Sequence, residues 1–598
     1  MTGTTAQRVL PARPTGTWPL ALALIVAAVL GAGTFEFAYR YSRGHIGYSL
    51  DDAYIHMAIA RHFAERGVWG ITPYEFSHSS SAPLWTLLVA GVYRLVGVSE
   101  RTEVVPGLLN LAAAVGLIVY GFGVVRRYVA SALVQWAGLL GLVLAVPVVP
   151  AVFWGMEHTL FTWMAMVVLC QAAEVLARTP RSARARRWLP LTAALLVGTR
   201  YEGLFLIAMV GLLLLLQRRV IYAGLVGVAA VMPVAALGLV AMRHGAAFLP
   251  NTLIAKGNVP LSWDWEDVLL LFGGRAALQL LMTPVVLGLC VFVVGRLRPG
   301  LLSRRRIAPP VGTGGEAGAF GNTASVGTRP VGQANRGPRT ALDGPGYFAG
   351  LIFLGTTLLH VQFSMVALLY SRYETYLVAM GLVAAAMIAG PRLGEAIRIE
   401  LPRRPSGRRV AAMLLATVWL VSLMVRSTFP LAFAWVGTVN IYHQQYQMGR
   451  FLDTYYTGRT VCANDVGAIS YLADIRVLDL VGLGSLEVVR AKRAAGRRLE
   501  QPLPPQTIAA LAKQRGATIA IIYDAWFEDA VPSEWTKVGE WTIRYNVTCG
   551  DDTVAFYAVD PAETDALTAH LRDFRTKLHK DVVQRGRYML GPAAGGPR

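Results

Sequence analysis

Two adjacent carboxylates, Asp51 and Asp52, stand in the run Ser49-Leu50-Asp51-Asp52-Ala53-Tyr54-Ile55, just after a long apolar stretch. Ser49 or Asp51 is a good helix N-cap. The residues on to Arg66 keep a helical period, with Ile55, Ile59 and Phe63 forming one apolar stripe suited to a membrane surface. Acidic groups in a helix's first turn gain from its dipole and stay ionised. A carboxylate fixed there can take the proton from a hydroxyl as that oxygen attacks an electrophilic carbon. The plainer reading makes both aspartates caps or ligands of a structural cation. Their position directly after the first apolar segment favours chemistry.

Other polar groups recur at the ends of apolar stretches. His56 lies one turn beyond Asp52, and His78 precedes a serine run. Glu157 and His158 open one long stretch, and Arg200, Tyr201 and Glu202 interrupt another. Asn251 and Lys256 follow, then Arg372, Tyr373 and Glu374. Lys256, Arg200 and Arg372 suit a phosphate, Arg by bidentate contacts and Lys as a point charge. Interfacial snorkelling explains each alone, and for Glu157, Glu202 and Glu374 the structural role as their partners is the stronger reading. His360 and Gln362, inside a stretch, read as hydrogen bonders between helices.

These groups need elements to carry them, and composition says which. The chain has 598 residues, 54% hydrophobic and only 15% charged, too little charge to cover a soluble surface. The net charge of +20 sits in short arginine clusters between apolar runs, which excludes a nucleic-acid binder and describes a polytopic membrane protein. Apolar segments of spanning length lie near 20–38, 104–125, 129–150, 159–176, 220–242, 275–294, 347–370, 376–390 and 410–424, with 188–217 broken at residues 199–202. Counting the break as two short helices gives about eleven spans. With the N-terminus inside, every strong arginine cluster then falls on the cytoplasmic side, including 178–187 and 218–219. This requires 83–97 to be an interfacial helix within a first external loop at 39–103. Apart from His360 and Gln362, the polar groups above then face outward, and ionisable groups at membrane depth are functional by default.

The Gly- and Pro-rich stretch 307–346 reads as a disordered cytoplasmic linker within a membrane domain at 1–439. Residues 440–598 alternate short apolar strands with amphipathic helices and read as an external α/β domain. Cys462 and Cys549 fall there, where an oxidising compartment makes a disulfide plausible; Cys170 and Cys290 fall in spans as small apolar fillers. No Cys or His metal spacing, P-loop or dinucleotide-binding glycine pattern occurs.

In scattered blocks from Asp51 to about Glu487 the chain resembles the GT-C class of membrane glycosyltransferases, most closely the mycobacterial terminal β-(1→2)-arabinofuranosyltransferase family. Asp51-Asp52-Ala53-Tyr54-Ile55 with Ser79-Ser80-Ser81-Ala82-Pro83-Leu84-Trp85 is similar to that family's paired-Asp helix and following turn. Gly155-Met156-Glu157, Thr199-Arg200-Tyr201-Glu202-Gly203 (Tyr in place of Pro), Pro250-Asn251-Thr252-Leu253-Ile254-Ala255-Lys256 and Arg372-Tyr373 resemble further blocks. Asp465-Val466-Gly467-Ala468-Ile469 and the run from Arg476 to Leu483 resemble blocks of its soluble domain.

The resemblance implies an inverting transferase in a bacterial inner membrane, with its site and C-terminal domain facing the periplasm. It makes Asp51 or Asp52 the base, and it makes Lys256, Arg200 and Arg372 the readers of a polyprenyl-phosphate donor. His56, His78, Glu157, Tyr201, Glu202, Asn251 and Tyr373 would line the site. The implied partners are the lipid-linked sugar, a cell-envelope glycan and membrane lipid. Arabinofuranose is the first expectation for the sugar and mannose the alternative. A divalent metal at Asp51 and Asp52 occurs in some relatives and is neither demanded nor excluded by these residues. A flippase for a lipid-linked sugar should show internal repeats and broken mid-membrane helices, and the sequence shows no repeat. A receptor merely anchored by its spans does not explain charged outer loops.

Overall fold

The computed structural model describes residues 16–256, 344–363, 372–396, 425–497 and 501–590. The expected span at 275–294, the expected linker apart from its last residues, and the span at 410–424 lie outside these.

The helices in chain order are α1 (Trp18–Tyr41), α2 (Asp51–Arg66), α3 (Pro83–Val96), α4 (Val105–Tyr128), α5 (Ala132–Ala145), α6 (Val148–Phe153), α7 (His158–Leu176), α8 (Ser182–Thr199), α9 (Gly203–Leu216), α10 (Val220–Arg243) and α11 (Asn251–Lys256). Then come α12 (Pro345–Phe363) and α13 (Thr375–Ala396). Among the described residues five helical segments are long and apolar enough to cross a membrane, at Trp18–Tyr41, Glu100–Tyr128, Ala132–Phe153, His158–Leu176 and Val220–Arg243. The charged break expected near residue 200 is real: α8 ends at Thr199 and α9 begins at Gly203. Helices α4, α7, α8, α9, α12 and α13 share one apolar core around Leu117, Phe161, Leu196, Phe353 and Met380.

The C-terminal region is the expected α/β unit. Its strands are β1 (Thr460–Ala463), β2 (Arg476–Asp479), β3 (Ala517–Ile522), β4 (Thr536–Thr542), β5 (Thr553–Ala558) and β6 (Val583–Gly586). They form one mixed sheet in the order β2-β1-β3-β5-β4-β6. The pairs β1–β2 and β1–β3 are parallel, and the pairs among β3, β5, β4 and β6 are antiparallel. Residues 425–455 are helical throughout, with a π-helical turn at Tyr442–Tyr446, so the chain passes the boundary expected at residue 440 without a break.

Two expectations are corrected here. The stripe on α2 is largely taken up by protein: Ile55 and Ile59 are buried, Phe63 alone of the three is exposed, and α2 is packed between α3 and the short helix Gly467–Leu472. Its side chains join those of the sheet in one core that runs from Tyr54 and Trp85 to Phe451, Trp541 and Phe556. The first loop is thus built into the C-terminal unit, and burial there outweighs what the same stripe would gain at a lipid surface. α3 keeps the interfacial character, exposing Leu87, Leu88, Leu95 and Val96.

The Cys462–Cys549 disulfide does not form; both thiols are free and buried. On β1, Cys462 faces one side of the sheet with Leu478, Ala520 and Ile522, while Val461 and Ala463 face the other, where Cys549 lies. Alternation along the strand separates the two sulfurs. The Cys549 thiol donates instead to Gln445 Oε1 at 3.1 Å.

Candidate functional site

The two aspartates have different partners. Helix α2 begins at Asp51 after an extended Leu50, and Ser49, one expected cap, instead bonds the Phe153 carbonyl. Asp51 turns toward the C-terminal unit. Its Oδ2 accepts from the Gly467 N–H at 2.6 Å and its Oδ1 from the Ala468 N–H at 2.8 Å. It therefore satisfies the opening N–H groups of another helix. The approach is so close that a Cβ at Gly467 would lie 2.2 Å from the Asp51 carbonyl oxygen. We expect Gly467→Ala to push the two segments apart and destabilise the protein by about 2 kcal/mol. Denaturant unfolding measures this, and an unchanged midpoint would contradict the contact.

Behind Asp51 lies a polar cluster from the π-helical turn and the sheet. Gln445 Nε2 donates to Asp465 Oδ2 at 2.9 Å and to the Tyr523 hydroxyl at 2.7 Å. The Tyr523 hydroxyl lies 3.0 Å from both Gln444 Oε1 and Asp465 Oδ2. Burial, and then the adjoining Asp465 carboxylate, push the Asp51 carboxyl well above its ordinary value of 3.8. The unfolded chain releases that proton near the ordinary value, while the folded chain still holds it. Burial beside Asp465 tolerates the protonated carboxyl better than the ionised one, so the stability of this buried site is complete below about pH 3.8 and declines as pH rises toward the raised value. Asp465→Asn removes the like charge and should flatten the decline. Unfolding midpoints of the two proteins, compared from about pH 4 to about pH 7, test this; parallel curves would refute it.

Asp52 faces the helical body. Its Oδ2 is 2.9 Å from Arg372 Nη2, and the aspartate side chain keeps 27% of its exposure. Arg372 also donates to the Tyr373 hydroxyl at 3.1 Å, and its Nη1 lies 3.7 Å from Met156 Sδ. The Tyr373 ring sits beside two guanidiniums, that of Arg372 at 5.0 Å and that of Arg200 at 5.4 Å from its centroid.

Arg200 is buried and bound by Glu157 and Glu202, with His158 Nε2 3.0 Å away. This is the structural pairing those glutamates also allowed on sequence. Glu157 is aimed by Gly155, whose φ of +69° and approach to the Tyr48 ring (2.5 Å from a Cβ) admit no side chain. His56 is buried behind the cluster. Its Nδ1 is 3.1 Å from Thr86 Oγ1 and 3.2 Å from Ser80 Oγ, and its Nε2 is 3.8 Å from Glu157 Oε2.

The structure thus gathers Asp52, Arg372, Tyr373, Arg200, Glu157, Glu202 and His56. It ties His78 and Asn251 elsewhere: His78 Nδ1 donates to the Ala247 carbonyl at 2.9 Å, and Asn251 Nδ2 to the Leu483 carbonyl at 3.3 Å. Ser79 reaches the same Leu483 carbonyl, so this turn pins the first loop to the chain before α11 and to the C-terminal unit. Burial lowers the His78 pKa. The Tyr201 hydroxyl is buried without a hydrogen-bond partner among the described residues. Lys256 ends α11, and its side chain lies outside the described residues, as does that of Gln362. His360 bonds the Tyr376 hydroxyl between α12 and α13, as expected.

Asp51, spent on two N–H groups, and Asp52, spent on a guanidinium, do not offer a cation a shared pair of carboxylates. Among the described residues no group of three His, Cys, Asp or Glu side chains is placed to hold a metal. The sequence reading missed Gln444, Gln445 and Tyr523 as partners of the acidic loop. The signal available was the polar run Tyr442-His443-Gln444-Gln445-Tyr446-Gln447 just after a mainly apolar stretch.

A family described as a domain of unknown function, DUF8728, matches residues 439–557. No curated protein matches the sequence. Among solved structures, the chain is similar to ArnT from Cupriavidus metallidurans bound to undecaprenyl phosphate, at 14% identity and TM-score 0.49, covering 92% of this chain and 99% of that one. It is similar to the mycobacterial arabinofuranosyltransferase AftD at 15% identity and TM-score 0.42, covering 92% of this chain and 42% of that one. It is also similar to the Archaeoglobus fulgidus oligosaccharyltransferase tethered with an acceptor peptide, at 12% identity and TM-score 0.45, covering 92% and 75%.

Proposed function

We propose that the chain is an inverting membrane glycosyltransferase of the GT-C class. It moves a sugar from a polyprenyl-phosphate donor to a hydroxyl of a cell-envelope glycan at the external face of a bacterial inner membrane. The observation that carries this reading is the contact of Asp52 with Arg372, a partly exposed carboxylate beside a cation at the rim of an apolar helical body. The acceptor hydroxyl gives its proton to Asp52, and its oxygen bonds to the anomeric carbon from the face opposite the phosphate. The carbon–oxygen bond to phosphate breaks, and polyprenyl phosphate leaves with the electron pair. Arg372 and, by the sequence reading, Lys256 hold the charge that develops on the leaving phosphate. Arg200, with its charge already matched by glutamates, supports Tyr373 and so the position of Arg372.

Arabinofuranose is the sugar to which the sequence resemblance points, and mannose is the alternative. Purified protein is incubated with polyprenyl-phosphate arabinofuranose and with polyprenyl-phosphate mannose, each with an envelope glycan. Inverted glycosidic product from one donor supports the reading and names the sugar. If folded protein makes no product from either donor, yet moves the intact lipid across a vesicle bilayer, the reading is replaced by that of a flippase.

A further inference from the structure

The helices that deliver Glu157 and Arg200 have a second charged end. A cavity of about 820 Å³ opens there, lined by Arg178, Arg186, Arg218 and Arg219 together with Val220, Ile221 and Tyr222. Helix α8 carries Thr199 at one end and Ser182, which lines this cavity, at the other. Eighteen residues span about 27 Å, so cavity and candidate site are about one membrane core apart.

Among the described residues no carboxylate lines the cavity. The carboxylate adjoining it in sequence, Glu174, is engaged by Arg181 and Thr179. Arg219 donates to the Val175 carbonyl at 2.9 Å, and the Tyr222 hydroxyl donates to the Arg186 carbonyl at 2.8 Å, so the walls are built rather than loose. The Arg186 guanidinium rests 5.5 Å from the Tyr222 ring centroid. Burial and then the charges of Arg178 and Arg186 lower the Arg219 pKa, as expected for crowded cations. The first turns of α8 and α10 also open here, and helix N-termini favour anions.

From the cavity an exposed apolar stripe runs along α10 through Ile221, Leu225, Val228 and Met232. A positive topology signal needs neither a cavity nor this stripe. The geometry points to a site for an anionic phospholipid: phosphate among the four arginines, acyl chain along α10. A bound lipid would clamp the α7–α8 turn to the α9–α10 turn, and so brace the helices that hold Glu157, Arg200 and Glu202 at their other ends.

The backbone supplies a selective test. Arg178 and Arg218 have φ of +51° and +58° and follow α7 and α9 at the positions where glycine is ordinarily found. Arg178→Gly with Arg218→Gly therefore removes two charges and relieves the backbone. In detergent, binding of diphosphatidylglycerol and of phosphatidylcholine is titrated by native mass spectrometry. Wild type should prefer the anionic lipid, and the double variant should bind it about 25-fold more weakly, at about fivefold per arginine. Its unfolding midpoint in phosphatidylcholine nanodiscs should be no lower than that of wild type, and each single variant gives a second reading. Arg126→Ala, an exposed arginine outside the cavity, should leave binding intact. Equal loss in Arg126→Ala, no preference over phosphatidylcholine, or displacement of the lipid by inorganic pyrophosphate would each overturn the proposal. The last would make it a site for free anions.

Discussion

Asp52→Asn is expected to lower sugar transfer by about three orders of magnitude while leaving the protein folded. A positioned general base contributes roughly 10²- to 10⁴-fold, and asparagine keeps the size of aspartate but cannot take the acceptor proton. Asp52 is partly open to solvent and asparagine keeps an oxygen toward the largely buried Arg372, so the change costs about 1–2 kcal/mol of stability. Asp51→Asn should behave in the opposite way. Its two carboxyl oxygens accept the N–H groups of Gly467 and Ala468, and the amide keeps one oxygen but turns an NH2 group toward the other donor. It should loosen the first loop from the C-terminal unit, lowering the unfolding midpoint more than the intrinsic rate of the molecules that remain folded. Transfer rates and unfolding midpoints measured on both variants separate the roles. If Asp51→Asn were the inactive, stable one, the assignment would be reversed.

Arg200→Ala should be the most destabilising single change in the helical body, by about 3–5 kcal/mol. Arg200 lies between Glu157 and Glu202, all three buried. Removing the guanidinium strands two carboxylates where water does not reach, and that penalty exceeds the loss of the contacts themselves. Glu157→Gln with Glu202→Gln, added to Arg200→Ala, should therefore recover most of the loss, because no charge remains unmatched. Arg200→Lys should fall between, since one ammonium does not reproduce a guanidinium's fork. Denaturant unfolding of the three proteins tests this. A triple variant no more stable than Arg200→Ala would mean that packing, and not charge, governs the site.

Much of this was legible in the residues. The break between α8 and α9 was visible because charged residues interrupt an apolar run. The strands β1, β2, β3 and β5 were visible as short apolar segments between turns, while β4 and β6 were missed because Lys537, Gly539 and Glu540 in one and Gln584, Arg585 and Gly586 in the other dilute the pattern. The membership of Asp52, Arg372 and Arg200 in one group could be read from their recurrence at segment ends.

Partners set by tertiary contact were not legible. An amphipathic stripe looks the same whether it faces lipid or another domain, so α2 was expected at a membrane surface and is found in a core. Two adjacent aspartates are alike in sequence, and only the approach of Gly467 to one and Arg372 to the other tells them apart. The cysteines share a domain, yet strand alternation puts Cys462 on the face away from Cys549.

Release of polyprenyl phosphate from the lipid-linked sugar is the most direct test of the central claim. It is followed in one nanodisc preparation for wild type, Asp52→Asn and Arg372→Gln with an acceptor glycan present. The account predicts release by wild type, almost none by Asp52→Asn, and weakened release by Arg372→Gln, largely through poorer use of donor. Undiminished release by Asp52→Asn, or none by folded wild type from either the arabinofuranosyl or the mannosyl donor, would contradict it.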